Sequence, residues 1–102
     1  MTPRQGDVFW METEAKRRPV LVVTRSQAVP VLHWVVVAPV TRTIRNIPTE
    51  LKLGPEDGLR EECVAAFDAL QPVRRAHLTE RISSIGPRRA EICRALSALA
   101  DC

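Results

Sequence analysis

The stretch that most constrains this chain is Lys16 to Thr24, Lys-Arg-Arg-Pro-Val-Leu-Val-Val-Thr, where three cations run into a proline and then into four aliphatic residues. Pro19 suits the first residue of a strand, because the N–H it lacks is not needed there. Val20 to Val23 has the length and β-branched character of a strand buried on both faces. Arg17 and Arg18 are therefore expected at the rim of a sheet, held by a rigid strand and facing solvent or a ligand. A guanidinium held this way, with five donors and a permanent charge, suits a phosphate. The same residues also read as a solvated basic turn.

The neighbouring segments supply the partners such a strand needs. Asp7 to Met11 follows Gly6 and reads as a first strand, joined to the second by the polar connection Glu12 to Lys16. Val31 to Val40 is the longest apolar run and reads as the central strand, with Pro39 implying a bulge or a ladder break near its end. Thr49 to Leu53 alternates as a half-exposed strand does, Gly54 to Gly58 is a turn by composition, and Glu62 to Leu70 reads as another strand. Gln71-Pro72-Val73 turns the chain, Arg74 to Leu78 forms one helical turn, and Arg81 to Ile85 is a short last strand. The period then changes. Gly86-Pro87 opens a helix whose apolar stripe is Ile92, Cys93, Leu96, Leu99 and Ala100. Five or six strands and one amphipathic helix make a mainly β fold, a small and strongly curved sheet or barrel with the helix packed on it. At 102 residues this is one domain, 1–102.

Composition removes several function classes. No apolar run approaches the ~20 residues that span a bilayer, and Met-Thr-Pro-Arg-Gln-Gly-Asp is no signal peptide, so the chain reads as cytoplasmic with no membrane role. Cys63, Cys93 and Cys102 are widely spaced with only His33 and His77 beside them, which argues against a zinc site or a disulfide framework. Cys63 and Cys93 read as small core residues and Cys102 as a loose terminus. Of the 15 basic residues 13 are arginine, and charge is segregated: +4 over residues 1–45, −4 over 46–70 and +3 over 71–102. An arginine-rich face beside an acidic one suggests nucleic acid, without the aromatic content for extended stacking on bases.

Glycine-rich phosphate loops, Gly-x-Ser-x-Gly and His-Glu-x-x-His are absent. What remains are polar residues at the ends of apolar strands: Arg18 before the second, Thr41 after the third, and Asp68 near the end of the fifth. Such a set could handle a phosphodiester without a metal. The carboxylate would take the proton of a ribose 2′-OH, the arginine would stabilise charge on phosphorus, and the hydroxyl would donate to a phosphoryl oxygen. That chemistry requires RNA. Each residue also has a structural reading, Thr41 as a strand terminator and Asp68 as an arginine's partner.

The order of these segments resembles the MazF/PemK toxins of bacterial toxin–antitoxin pairs. Arg4-Gln5-Gly6-Asp7-Val8-Phe9-Trp10 matches the family's opening strand, Arg18-Pro19-Val20-Leu21-Val22-Val23 its Arg-Pro-strand motif, and Val36-Val37-Ala38-Pro39-Val40-Thr41 the strand ending in Pro-[hydrophobic]-Thr. Asp68, Val73 and Leu78 follow. The resemblance implies an SH3-like β-barrel with a C-terminal helix, a homodimer, and metal-independent cleavage of single-stranded RNA to 2′,3′-cyclic phosphate and 5′-OH ends with no cofactor. It implies a cognate antitoxin that blocks the RNA groove. Arg18 and Thr41 fall on the family's essential arginine and threonine, and Asp68 on an acidic residue proposed as base. Arg17, Arg42, Arg45 and Gln71 are candidate RNA contacts. The connection Glu12 to Arg17 is shorter than usual and lacks the family's Gly-Ser-Glu-Gln run, and Ala69 and Gln71 follow Asp68 where the family often has Gln or Asn and an arginine. The gyrase-poisoning CcdB proteins share the barrel, so a non-enzymatic toxin and an inactive RNA-binding module are the alternative readings.

Overall fold

The structure, a computed structural model, describes residues 2–100. Among these, seven antiparallel strands form one curled sheet: β1 (Asp7–Glu12), β2 (Arg17–Val22), β3 (Trp34–Thr41), β4 (Glu50–Leu53), β5 (Cys63–Ala66), β6 (Gln71–Arg74) and β7 (Leu78–Ser84). A single helix, α1 (Arg89–Leu99), follows. The strand order is β4-β5-β3-β2-β1-β7, and β6 also pairs with β3. The result is a mainly β half-barrel with a C-terminal helix, as the sequence predicts.

Strand β3 serves three neighbours. Val37 to Pro39 pairs with β2, Trp34 to Val37 with β6, and Val40 to Thr41 with β5. Pro39 thus lies where β3 exchanges β6 for β5, a position that tolerates the ladder break a proline imposes. The far edge is also irregular. The β1–β7 register slips between Val8 and Phe9 and again between Trp10 and Met11, bulges that increase the twist of an edge pair.

Alternation along β1, β2 and β3 feeds two separate cores. Val8, Leu21, Val23, Ala38 and Val40 join Leu51, Ala65, Phe67, Ile92 and Ala95 on one face, beneath α1. Phe9, Met11, Val20, Val22, Val35, Val37 and Val73 form the other face, closed by Val29. The double burial of Val20 to Val23 is therefore real.

Several local expectations change. β2 starts at Arg17, so both arginines belong to the strand and Pro19 lies inside it, opposite Trp10. Val29–Val31 is a 3-10 turn, and β3 begins only at Trp34. The strand expected over Glu62 to Leu70 stops at Ala66, because Phe67–Ala69 coils into a 3-10 turn that drives the Phe67 ring into the first core. Gln71 to Val73 does not turn the chain but lies in β6, recruited by the free edge of β3. The helical turn near Arg74 to Leu78 is present as Arg75–His77, and β7 starts earlier than expected, at Leu78. Gly86-Pro87 opens a 3-10 turn that leads into α1. Cys93 is exposed rather than buried, because the helix buries Ile92 and Ala95 and Cys93 lies about 100° round the axis from Ile92. Cys102 lies outside the described residues.

One polar cluster ties the long β4–β5 connection to the helix. Asp57 is buried and accepts from the Gly54 amide at 3.0 Å and from Arg88 Nη1 at 3.1 Å. Arg88 also donates to the Lys52 carbonyl at 2.7 Å and to both Glu91 oxygens at 2.7 and 2.8 Å. The hydrogen bonds from Arg88, opposed by partial burial and aided by its charge, hold the Glu91 carboxyl below its ordinary value of 4.5. Glu91 therefore contributes stability that is complete above pH 4.5 and lost as pH falls through the lowered value. Arg88→Ala leaves Asp57 buried without its cation, and urea unfolding should show a loss of about 2–3 kcal/mol. In Glu91→Gln the acid limb of the stability profile should flatten.

Candidate active site

The β2–β3 register pairs Val20 with Pro39, Leu21 with Ala38 and Val22 with Val37, so Arg18 and Thr41 both lie two residues past the same end of the paired region. The Arg-Pro and Pro-Val-Thr segments are thus neighbours across two strands. Arg18 Nη2 donates to the Val40 carbonyl at 2.9 Å, which fixes the guanidinium beside Thr41. Its Nε is buried and has no hydrogen-bond partner among the described residues. The Thr41 hydroxyl oxygen accepts from the Thr43 amide at 3.2 Å, leaving its O–H free to donate.

Both residues line a groove of about 490 Å³ together with Trp10, Arg42, Gly58, Arg60, Glu61 and Cys63. One wall is the segment following Gly58, whose φ of 84° places it in the left-handed region that favours glycine. A side chain there would also meet the Ile82 Cγ2 atom at 3.1 Å. Arg42 Nη1 lies 3.4 Å from Glu61 Oε2, an exposed pair at the rim that adds little stability. Burial, with smaller contributions from Asp57 and Glu61, pushes the Cys63 thiol up, so it stays protonated and is a poor nucleophile. Among the described residues no group of three or more His, Cys, Asp or Glu side chains could hold a metal ion.

The other sequence candidates are dispersed. Arg17 lies 3.9 Å over the Trp10 ring and pairs with Glu12 at 2.6 Å and Glu80 at 3.5 Å, so it meets the groove only through Trp10. Hydrogen bonds from Thr79 first, and from Arg17, hold the Glu12 carboxyl below the usual range, which keeps that pair ionised. Asp68 sits on the 3-10 turn after β5, where its carboxylate accepts from the Thr49 hydroxyl, and it does not line the groove. Gln71 begins β6 opposite Val37, and Arg45 lies beside Glu50, whose carboxylate accepts its amide at 2.9 Å; neither lines the groove. Sequence reasoning missed Trp10, Arg60 and Glu61. For Arg60 and Glu61 the available signal was a charged run separated by one residue from Gly58, which ends a turn; Trp10 carried no such signal.

The arrangement combines an anchored cation, a hydroxyl and a rim carboxylate, which is suited to an anionic tetrahedral centre. Comparison with known proteins agrees. Residues 4–100 match the family described as PemK-like, MazF-like toxin of type II toxin-antitoxin system. The chain is 37% identical to the probable endoribonuclease MazF5 of Mycobacterium tuberculosis, over 98% of this chain and 94% of that one. Among solved structures, the M. tuberculosis toxin MazF-mt6 superposes with a TM-score of 0.83 at 28% identity, covering 91% of this chain and 94% of its own. A mycobacterial endoribonuclease solved in complex with its cognate antitoxin gives a TM-score of 0.80 at 26% identity, covering 95% and 93%. With a match across nearly its whole length, and with Arg18 and Thr41 meeting in one groove, the chain belongs to the PemK-like, MazF-like family of type II toxins.

Proposed function

We propose that the chain is an endoribonuclease toxin that cuts single-stranded RNA at short sequences without a metal ion, in the cytoplasm, and is neutralised by a cognate antitoxin. The observation that carries this reading is the Arg18 guanidinium, tethered through Nη2 to the Val40 carbonyl on the wall of the groove it shares with Thr41. A phosphoryl oxygen is the acceptor that best completes such a donor set.

In this mechanism the ribose 2′-oxygen attacks phosphorus, the P–O2′ bond forms and the P–O5′ bond breaks. A 2′,3′-cyclic phosphate and a 5′-OH result. Arg18 and the Thr41 hydroxyl donate to the non-bridging oxygens as negative charge accumulates on them. The 2′-OH proton passes to a carboxylate, and the leaving 5′-oxygen takes a proton from water. We assign the proton acceptor to Glu61, the one carboxylate among the described residues that lines the groove. Asp68 is the weaker candidate, because it does not line the groove that holds Arg18 and Thr41.

A homodimer is part of the same reading. Val31, Leu32, Trp34 and Val36 expose apolar side chains along one stretch of chain, with Trp34 52% exposed, and exposed apolar surface of this kind supports an interface between copies.

Incubation with a long mixed-sequence RNA in EDTA should give discrete cuts with 5′-OH ends. Arg18→Ala should lower kcat/KM roughly 10²–10³-fold, as loss of an oxyanion donor does, and Thr41→Val about 10²-fold, both with unchanged melting. Glu61→Gln should remove the acid limb of the pH–rate profile; an unaltered limb returns the proton acceptor to Asp68. Trp34→Glu should shift sedimentation equilibrium towards a single chain. A folded wild-type protein that leaves a broad range of RNAs intact would point instead to a protein target such as gyrase.

A further inference from the structure

At the opposite end of β2 from the groove, four arginines converge on a second basin. Gly6, at a φ of 91°, packs so closely on Gly86 that a Cβ would lie 3.0 Å from the Gly86 Cα. Ile85 donates to the Gly6 carbonyl at 2.7 Å and Gly6 donates to the Val22 carbonyl at 2.9 Å. The Gln5 amide donates to Ser26 Oγ at 3.0 Å, and Gln5 Nε2 to the Val23 carbonyl at 2.9 Å. These contacts gather the opening turn, the end of β2, the end of β7 and the start of α1. Between them lies a basin of about 810 Å³ lined by Arg4, Arg25, Arg81 and Arg89, with Asp7 as its one acid.

The charge there is largely uncommitted. Asp7 is buried, accepts from the Arg4 amide at 3.0 Å and lies 3.9 Å from Arg81 Nη1, so it offsets at most one guanidinium. Arg89 Nε meets only the neutral Gln5 Oε1, at 3.4 Å. The Arg4 and Arg25 guanidinium groups make no hydrogen bond or ion pair among the described residues. The lining carries a net +3, equal to the formal net charge of the whole chain. The first turn of α1 begins at Arg89 and adds the positive end of the helix.

We propose that this basin binds a backbone phosphate of the RNA substrate, remote from the bond that is cut; this rests on the ribonuclease reading. No aliphatic or aromatic side chain lines the basin. An acidic protein segment would find charge there but no apolar anchor, whereas a phosphodiester needs only the forked donors and hydroxyls that are present. Arg18 lies near the start of β2 and Arg25 three residues past its end, with the strand from Arg18 to Val22 spanning about 13 Å between them. A tetramer held at the groove has at most two phosphates besides the one cut with which to approach the basin, whereas a long RNA can follow the surface past the end of β2.

The test measures binding in a Thr41→Val background to a single-stranded RNA of twenty nucleotides and to a tetramer, over a range of salt. Arg25→Gln with Arg89→Gln should weaken the long RNA about 10-fold and reduce the slope of log K against log salt by about 1.4, while leaving the tetramer unchanged. Arg25→Lys with Arg89→Lys should restore most of the slope, which a folding defect would not allow. Equal binding of the long RNA by the glutamine variant and its parent would overturn the proposal. Loss of polyglutamate binding with RNA binding intact would overturn it in favour of an acidic protein segment. Because binding is read without cleavage, an inactive wild-type protein that still shows the slope change would sink the nuclease reading and leave the basin's phosphate affinity standing.

Discussion

The structure depends on β3 being hydrogen-bonded to three partners at once. A strand of eight residues cannot satisfy β2 on one side and two successive strands on the other unless the sheet bends, and the exchange from β6 to β5 occurs around Pro39. Bending is stabilised by burial on both sides, since Val35 and Val37 enter one core while Ala38 and Val40 enter the other. A flat sheet could not bury both sets with so short a chain.

The groove follows from that bend. The end of β3 that pairs with β5 also runs beside the start of β2, so Thr41 and Arg18 meet where both strands emerge from the core. The Arg18 side chain is held through a backbone carbonyl, which no substitution of a neighbouring side chain can remove. In the proposed reaction that arrangement would pre-organise a cation for charge that develops on the phosphate, at no cost in rearrangement.

Much of this was legible in the sequence where the signal was local and strongly apolar. Val20 to Val23, the Pro-Val-Thr ending of β3 and the helical stripe at Ile92 and Leu96 each carried their own periodicity, and Arg18 and Thr41 could be singled out because they terminate such runs. What escaped depended on neighbours distant in sequence. Gln71 to Arg74 looks like a turn because of Pro72, yet it becomes a strand because β3 presents an open edge. Asp68 looked like part of a strand end beside the site, but the coil that buries Phe67 moves it to Thr49. Arg60 and Glu61 belong to a loop whose path is decided by a left-handed glycine and by an aspartate paired with the helix.

That pairing has a consequence for how members of such a family can diverge. The Arg88–Asp57 contact fastens the foot of the Gly58–Glu61 wall to the helix, while the Arg60 and Glu61 side chains at the wall's crest make no contribution to either core. Replacing Arg60 therefore alters the chemistry facing the groove without loosening the scaffold or removing the proposed proton acceptor. The fold separates the part that must stay constant from the part that is free to drift, and new sequence preferences could accumulate at the crest while the barrel beneath them remains the same.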